Sequence, residues 1–185
     1  MLTAHGKAMQ EFDRRVQAVG DDQWGNPTPD TDWSVRDLVA HLVGEQLWVR
    51  PLLDGATIEE VGTQFDGDNL GDDPKAAWSS ASRAARQAWL APGSVDRTVH
   101  LSFGDTSAAE YGWQMTMDLA IHAWDLARGI GVDEDLPGDV VAPLLEMVRP
   151  FVHRLAPSGL FAPPITVSSD AEPQTELLAL LGRRR

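Results

Sequence analysis

One apolar stretch holds two residues whose chemistry its neighbours do not explain. The segment from Trp113 to Ala127, WQMTMDLAIHAWDLA, is apolar on nearly all sides, as a helix buried in the centre of a bundle would be. Asp118 and His122 interrupt it four residues apart. On a helix that spacing sets them about 40° apart in rotation and about 6 Å apart along the axis, so both side chains reach one point. Asp125 continues the same face. A carboxylate buried without a partner is costly or takes up a proton, so a cation is expected beside it. Two accounts stand at this level. Asp118 accepts a hydrogen bond from His122 and Asp125 pairs with Arg128 in a structural polar cluster, or Asp118 and His122 are two ligands of a metal that needs a third.

A third ligand is available on another helical segment. His41 lies among Leu38, Leu42 and Trp48, with Glu45 one turn further along the same stripe. A lone histidine on an apolar face is more often a hydrogen-bonded core residue than a ligand. Placed on a helix facing Asp118 and His122, however, His41 completes a His, Asp, His triad, three protein ligands with an open fourth position, the usual construction of a reactive zinc site. Glu45 and Asp125 are then the candidates for orienting the ligands or for acid–base work beside them. The remaining histidines fit less well. His100 falls on the polar side of an alternating segment, and His153 shares an outer helix face with Glu146 and Arg149, so both are expected in solvent. His5 sits on the apolar stripe of the first helix as a core residue or a weak alternate ligand.

The elements that must position these residues can be read from periodicity and punctuation. Leu2, Met9, Phe12, Val16 and Val19 predict a first helix over residues 2–19, ended by Gly20. Residues 24–33, with Pro27 and Pro29, read as a loop anchored by Trp24 and Trp33. Ser34 and Asp37 form a capping-box pattern that starts a second helix, running to about Leu53 with Pro51 kinking or fraying its end. Pro74 opens a third over Lys75–Leu90. Val99, Leu101 and Phe103 alternate with His100 and Ser102, which predicts a short extended arm over Arg97–Phe103. The longest helix runs from about Ser107 to Arg128, stopped by Gly129 and Gly131. A fifth covers Pro137–Leu155, bent at Pro143 or Pro150, and a short one covers Thr175–Leu181. The pattern is all-α: four main helices plus short extras, with the helices starting near Ser34 and Ser107 facing one another.

Composition narrows the chemistry further. At 185 residues and 43% hydrophobic content, the chain is expected to form one domain, residues 1–185. Acidic residues outnumber Lys and Arg by 28 to 15, and the resulting charge of -13 repels phosphate backbones and anionic lipid, so neither nucleic acid nor membrane is an expected partner. The seven Trp accordingly read as core and loop anchors rather than a stacking surface for bases. No leader pattern opens the chain and no apolar run reaches roughly 18 residues, which predicts a cytoplasmic location. There is no cysteine, so a thiol, if the chemistry uses one, is imported.

The strings WSVRDLVAHLVGE (33–45), DLAIHAWDLA (118–127) and ALLGR (179–183) resemble the DinB-like, mycothiol-dependent maleylpyruvate isomerase N-terminal domain family, in its single-domain metal-binding branch. The resemblance covers almost the whole chain. It implies a DinB-like four-helix bundle holding a divalent metal, zinc with nickel as the alternative, through a histidine of the second helix and an acid-x-x-x-His pair of a later one. Those positions fall on His41, Asp118 and His122. The typical isomerase has Glu at the acidic position, one methylene longer than Asp118. The resemblance further implies mycothiol as a thiol cosubstrate and an electrophilic small molecule as substrate, in an S-transferase or isomerase-like reaction, with a homodimer as a compatible assembly. The competing readings are a metal-dependent hydrolase in which metal-bound water attacks and Glu45 is the general base, and a non-catalytic metal-stabilised binding domain.

Overall fold

The computed structural model describes residues 1–30, 32–152 and 162–185. Helix α1 spans Leu2–Ala18 and buries Ala8, Phe12 and Val16 completely. Helix α2 spans Val35–Leu53 and starts where the capping box predicts: Ser34 Oγ accepts from the Asp37 backbone N–H at 3.2 Å, and Asp37 Oδ2 accepts from the Ser34 N–H at 3.0 Å. Pro51 lies inside α2, which continues to Leu53. A one-turn helix α3, Ile58–Val61, is capped by Thr57 and Glu60. Helix α4, Pro74–Trp89, has Pro at its first position and Asp73 as cap. A 3-10 turn at Ser94–Asp96 leads into strands β1 (Thr98–Leu101) and β2 (Gly104–Ser107), an antiparallel hairpin with Thr98 opposite Ser107. Helix α5 spans Ala108–Ile130 and closes at Gly131, whose φ of 71° is the left-handed conformation that suits glycine after a helix.

Residues Met1–Val132 form one compact unit. Within it α1 packs along α5 and α2 along α4, while the α1–α4 and α2–α5 seams close a four-helix ring. Trp78, Trp89, Trp124, Leu38 and Leu119 fill its centre. The second unit, Asp133–Arg185, holds α6 (Gly138–Val148) and α7 (Pro173–Leu180), which pack on each other. In that unit Arg149 donates twice to Glu176, at 2.8 and 2.6 Å, and Gln174 Oε1 accepts from the Leu136 N–H at 2.8 Å. No helix among the described residues is long and apolar enough to cross a membrane.

The all-α expectation holds, with four corrections. The extended arm is one half of a hairpin, whose second strand, Gly-Asp-Thr-Ser, has no apolar alternation to announce it. Phe103 is not on the buried side with Val99: it sits in the hairpin turn and is 71% exposed. Gly129 does not stop α5. It lies inside the helix, where an added Cβ would come within 3.0 Å of Val35 Cγ2, so its role is to let α5 approach the start of α2. Helix α6 runs through Pro143 but ends at Val148, with turns at 149–151 where the helix is expected to continue; residues 153–155, His153 among them, fall outside the described residues.

Removing the Ser34 cap leaves an N-terminal N–H of α2 without its acceptor. Ser34→Ala should lower unfolding free energy by about 1 kcal/mol. Urea titration should show a shifted midpoint at unchanged m-value.

Candidate metal centre

The α2–α5 seam brings together the three side chains picked out by spacing. His41 Nε2, from α2, lies 3.3 Å from Asp118 Oδ2, and His122 Nε2, one turn along α5, lies 3.3 Å from Asp118 Oδ1. The two imidazole centroids are 5.3 Å apart. One ligand-type atom from each of the three residues falls within 4.8 Å of the others. His122 is 6% exposed, but His41 and Asp118 are 28% and 23% exposed, which leaves the cluster accessible from one side. Asp118 Oδ2 is itself buried and meets no donor in hydrogen-bonding alignment. An orphaned carboxylate oxygen between two imidazoles is the position a cation satisfies, and the donor set of two imidazoles and one carboxylate suits zinc-like metals.

Asp125 is fully buried and its Oδ2 accepts from His122 Nδ1 at 3.0 Å, which turns Nε2 toward Asp118. Asp30, from the loop before α2, joins this outer group, with ligand-type atoms of Asp30, His122 and Asp125 within 4.8 Å of one another. His122 alone would be driven down by burial, but the Asp118 charge, with hydrogen bonds to Asp118 and Asp125, pushes its pKa up to about 10. Burial acts to raise Asp118, and the His122 charge, followed by His41, outweighs it and holds the carboxyl far below its ordinary range. Without metal the pair is therefore an imidazolium and a carboxylate. Glu45 follows His41 by one turn on α2; burial first, then the Asp118 charge, raises its pKa, against the opposing charges of His41 and His122.

Three neighbours of the site lie outside the set that the sequence singles out. Trp33 is a loop anchor, but its ring lies 4.7 Å from that of His41 and 5.7 Å from that of His122, so it forms a wall of the site. The loop holding it is tied down by Thr28 N–H to Trp33 O at 3.1 Å and by Asn26 Nδ2 to the Gly129 carbonyl at 3.0 Å, which also satisfies the end of α5. No sequence pattern marks Trp33 or Asp30 for this. Tyr111 is different: it precedes Asp118 by two turns on the same face, a readable signal. Its buried phenol is held above its ordinary range by burial, then by Glu45 and Asp118. His100 and His5, the other histidines among the described residues, stay away from the cluster. His100 pairs with Asp105 at 2.7 Å across the hairpin, and His5 is fully buried with Nδ1 against Arg86.

The bundle belongs to a recognisable class. Residues 5–127 match the mycothiol maleylpyruvate isomerase N-terminal domain, and the chain is a member of that family. An uncharacterized protein of Mycobacterium tuberculosis, found in two strains, is 29% identical over 188 residues, covering 98% of this chain and 97% of the relative. The crystal structures of a mycothiol-dependent maleylpyruvate isomerase and of a point mutant superpose with a TM-score of 0.62 each, at 18% and 16% identity. They cover 83% of this chain and 70% of theirs, a likeness of fold.

The raised pKa of His122 has a stability consequence with a definite sign. A folded-state pKa of about 10 against an unfolded value of 6.5 contributes stability that is complete below pH 6.5 and disappears as pH rises through 10. In metal-free buffer, the stability advantage of wild type over His122→Gln should therefore shrink steadily from pH 6.5 to pH 10. Urea titrations across that range measure it.

Proposed function

We propose that the protein binds a divalent metal, zinc in the first place and nickel by the same donors, through His41, Asp118 and His122, and uses it to take up mycothiol or a close analogue for transfer to, or isomerisation of, an electrophilic small molecule. The observation that carries this reading is a three-ligand cluster open on one side, in a chain with no thiol of its own. Membership of the mycothiol maleylpyruvate isomerase N-terminal domain family supports the choice of thiol. When bound, the metal supplies the Lewis acidity that lowers the pKa of a coordinated thiol, about 8.5 for a free cysteine.

The chain's own residues do the rest. Asp125 keeps the Nδ1 proton of His122, so that Nε2 is the nitrogen offered to the ligand position. Trp33 excludes water from one flank of both imidazoles. Glu45, with its raised pKa, lies near enough to Asp118 to feel its charge and can relay the proton given up by the thiol to solvent. Because His122 is protonated in the free protein at neutral pH, loading has to displace that proton.

His41→Ala or His122→Ala should lower zinc affinity by at least 100-fold, roughly the scale of losing one of three ligands, and His100→Ala should leave it unchanged. Chelator competition reads the difference. Equal affinity in all three variants would discard the site. For the thiol, mycothiol added to cobalt-substituted protein should produce a sulfur-to-metal charge-transfer band and release a proton at about pH 7.5, below the pKa of a free thiol. A metal-loaded protein giving neither band nor proton does not bind the thiol this way.

A further inference from the structure

The seam opposite the candidate metal centre carries a different polar feature. Helices α1 and α4 enclose a groove of about 600 Å³, lined among others by Gly6, Gln10, Ser82, Arg83, Arg86 and Gln87. That volume is within the range of about 300–1,000 Å³ typical of small-molecule sites. Helix α4 contains no Asp or Glu, and neither Arg83 nor Arg86 pairs with a carboxylate among the described residues. Asp13, which also lines the groove, accepts instead from Trp78 Nε1 at 2.9 Å. In a chain of charge -13, two arginines one turn apart without an acidic partner are a local reversal of sign.

Arg86 is moreover seated. Its guanidinium lies over Gly6, where a Cβ would come within 2.7 Å of Nη2, and Nη1 approaches His5 Nδ1 at 3.3 Å. An arginine only donates, so His5 Nδ1 must accept, which requires a neutral imidazole. Burial, then the Arg86 charge, pushes the His5 pKa down to about 3 and keeps it neutral. The proton is then on His5 Nε2, which is fully buried and has no hydrogen-bond partner. A glycine and a neutral histidine thus hold one face of a half-buried guanidinium, while its other N–H groups have no acceptor among the described residues.

We infer that the α1–α4 groove is a second ligand site, in which Arg83 and Arg86 bind the carboxylate or phosphate of a small molecule on the side of the bundle away from His41, Asp118 and His122. The planar fork of a guanidinium matches both oxyanions with paired hydrogen bonds. Gln10, Gln87 and Ser82 offer further donors to the body of the ligand. The inference does not rest on the metal or thiol reading, because it uses none of those residues.

Calorimetric titration of the full chain with inorganic phosphate and, separately, with succinate tests it. Saturable binding of at least one is expected, and which one binds more tightly tells a tetrahedral from a planar oxyanion. R83Q and R86Q should each weaken it by tenfold or more. G6A should weaken it as well by displacing the Arg86 guanidinium, with circular dichroism confirming that each variant is folded. H41A should bind the anion as the wild type does. No saturable binding of either anion would overturn the inference. So would equal binding in wild type and both arginine variants, or binding lost in H41A and kept in R83Q and R86Q.

Discussion

A carboxylate set between two imidazoles on facing helices is the constraint from which the arrangement of the first unit follows. Asp118 sits one turn before His122 on α5, while the imidazole that faces its second oxygen, His41, comes from α2. That dependence requires α2 and α5 to lie close and in register. Several features serve it: the Ser34 capping box fixes where α2 begins, and Gly129 removes the side chain that would hold α5 away from Val35. The loop between α1 and α2 is bonded to the last carbonyls of α5 through Asn26 and Gln23, which carries Trp33 to the imidazoles. Buried polar groups are costly unless satisfied, so each of these contacts also limits how the helices can slide.

The helices and the three central side chains were legible because both follow a helical period. Ser34-x-x-Asp37 announced the start of α2, Pro74 that of α4, and the spacing of Asp118 and His122 survives unchanged as a 3.3 Å approach. His41 required an assumption about which helices face each other, and the α2–α5 seam supplies it. What was not legible depends on folding of irregular backbone. Trp33 and Asp30 reach the site from a loop whose path is set by long-range hydrogen bonds, and no local pattern encodes those. The strand Gly104–Ser107 pairs with Thr98–Leu101 without an apolar alternation of its own, and Gly129 reads as a helix stop because its tertiary contact cannot be seen from its neighbours in sequence.

The two seams of the bundle divide the chemistry by charge. On α2–α5, acidic side chains converge on imidazoles and raise the pKa of His122, an arrangement that stores a proton at the proposed metal position. On α1–α4 the sign is reversed, and a neutral histidine serves to hold an arginine. The same residue type is charged on one seam and neutral on the other: burial favours the neutral form of both, carboxylates overcome it at His122, and a guanidinium reinforces it at His5.

The central claim is that His41, Asp118 and His122 hold a metal with one position left for sulfur. X-ray absorption at the zinc edge of the loaded protein, before and after saturation with mycothiol, tests it most directly. The account predicts only nitrogen and oxygen neighbours at about 2.0–2.2 Å in the first spectrum, including imidazole, and one sulfur at about 2.3 Å in the second. A spectrum without imidazole scattering, or one that saturating thiol leaves unchanged, would contradict it.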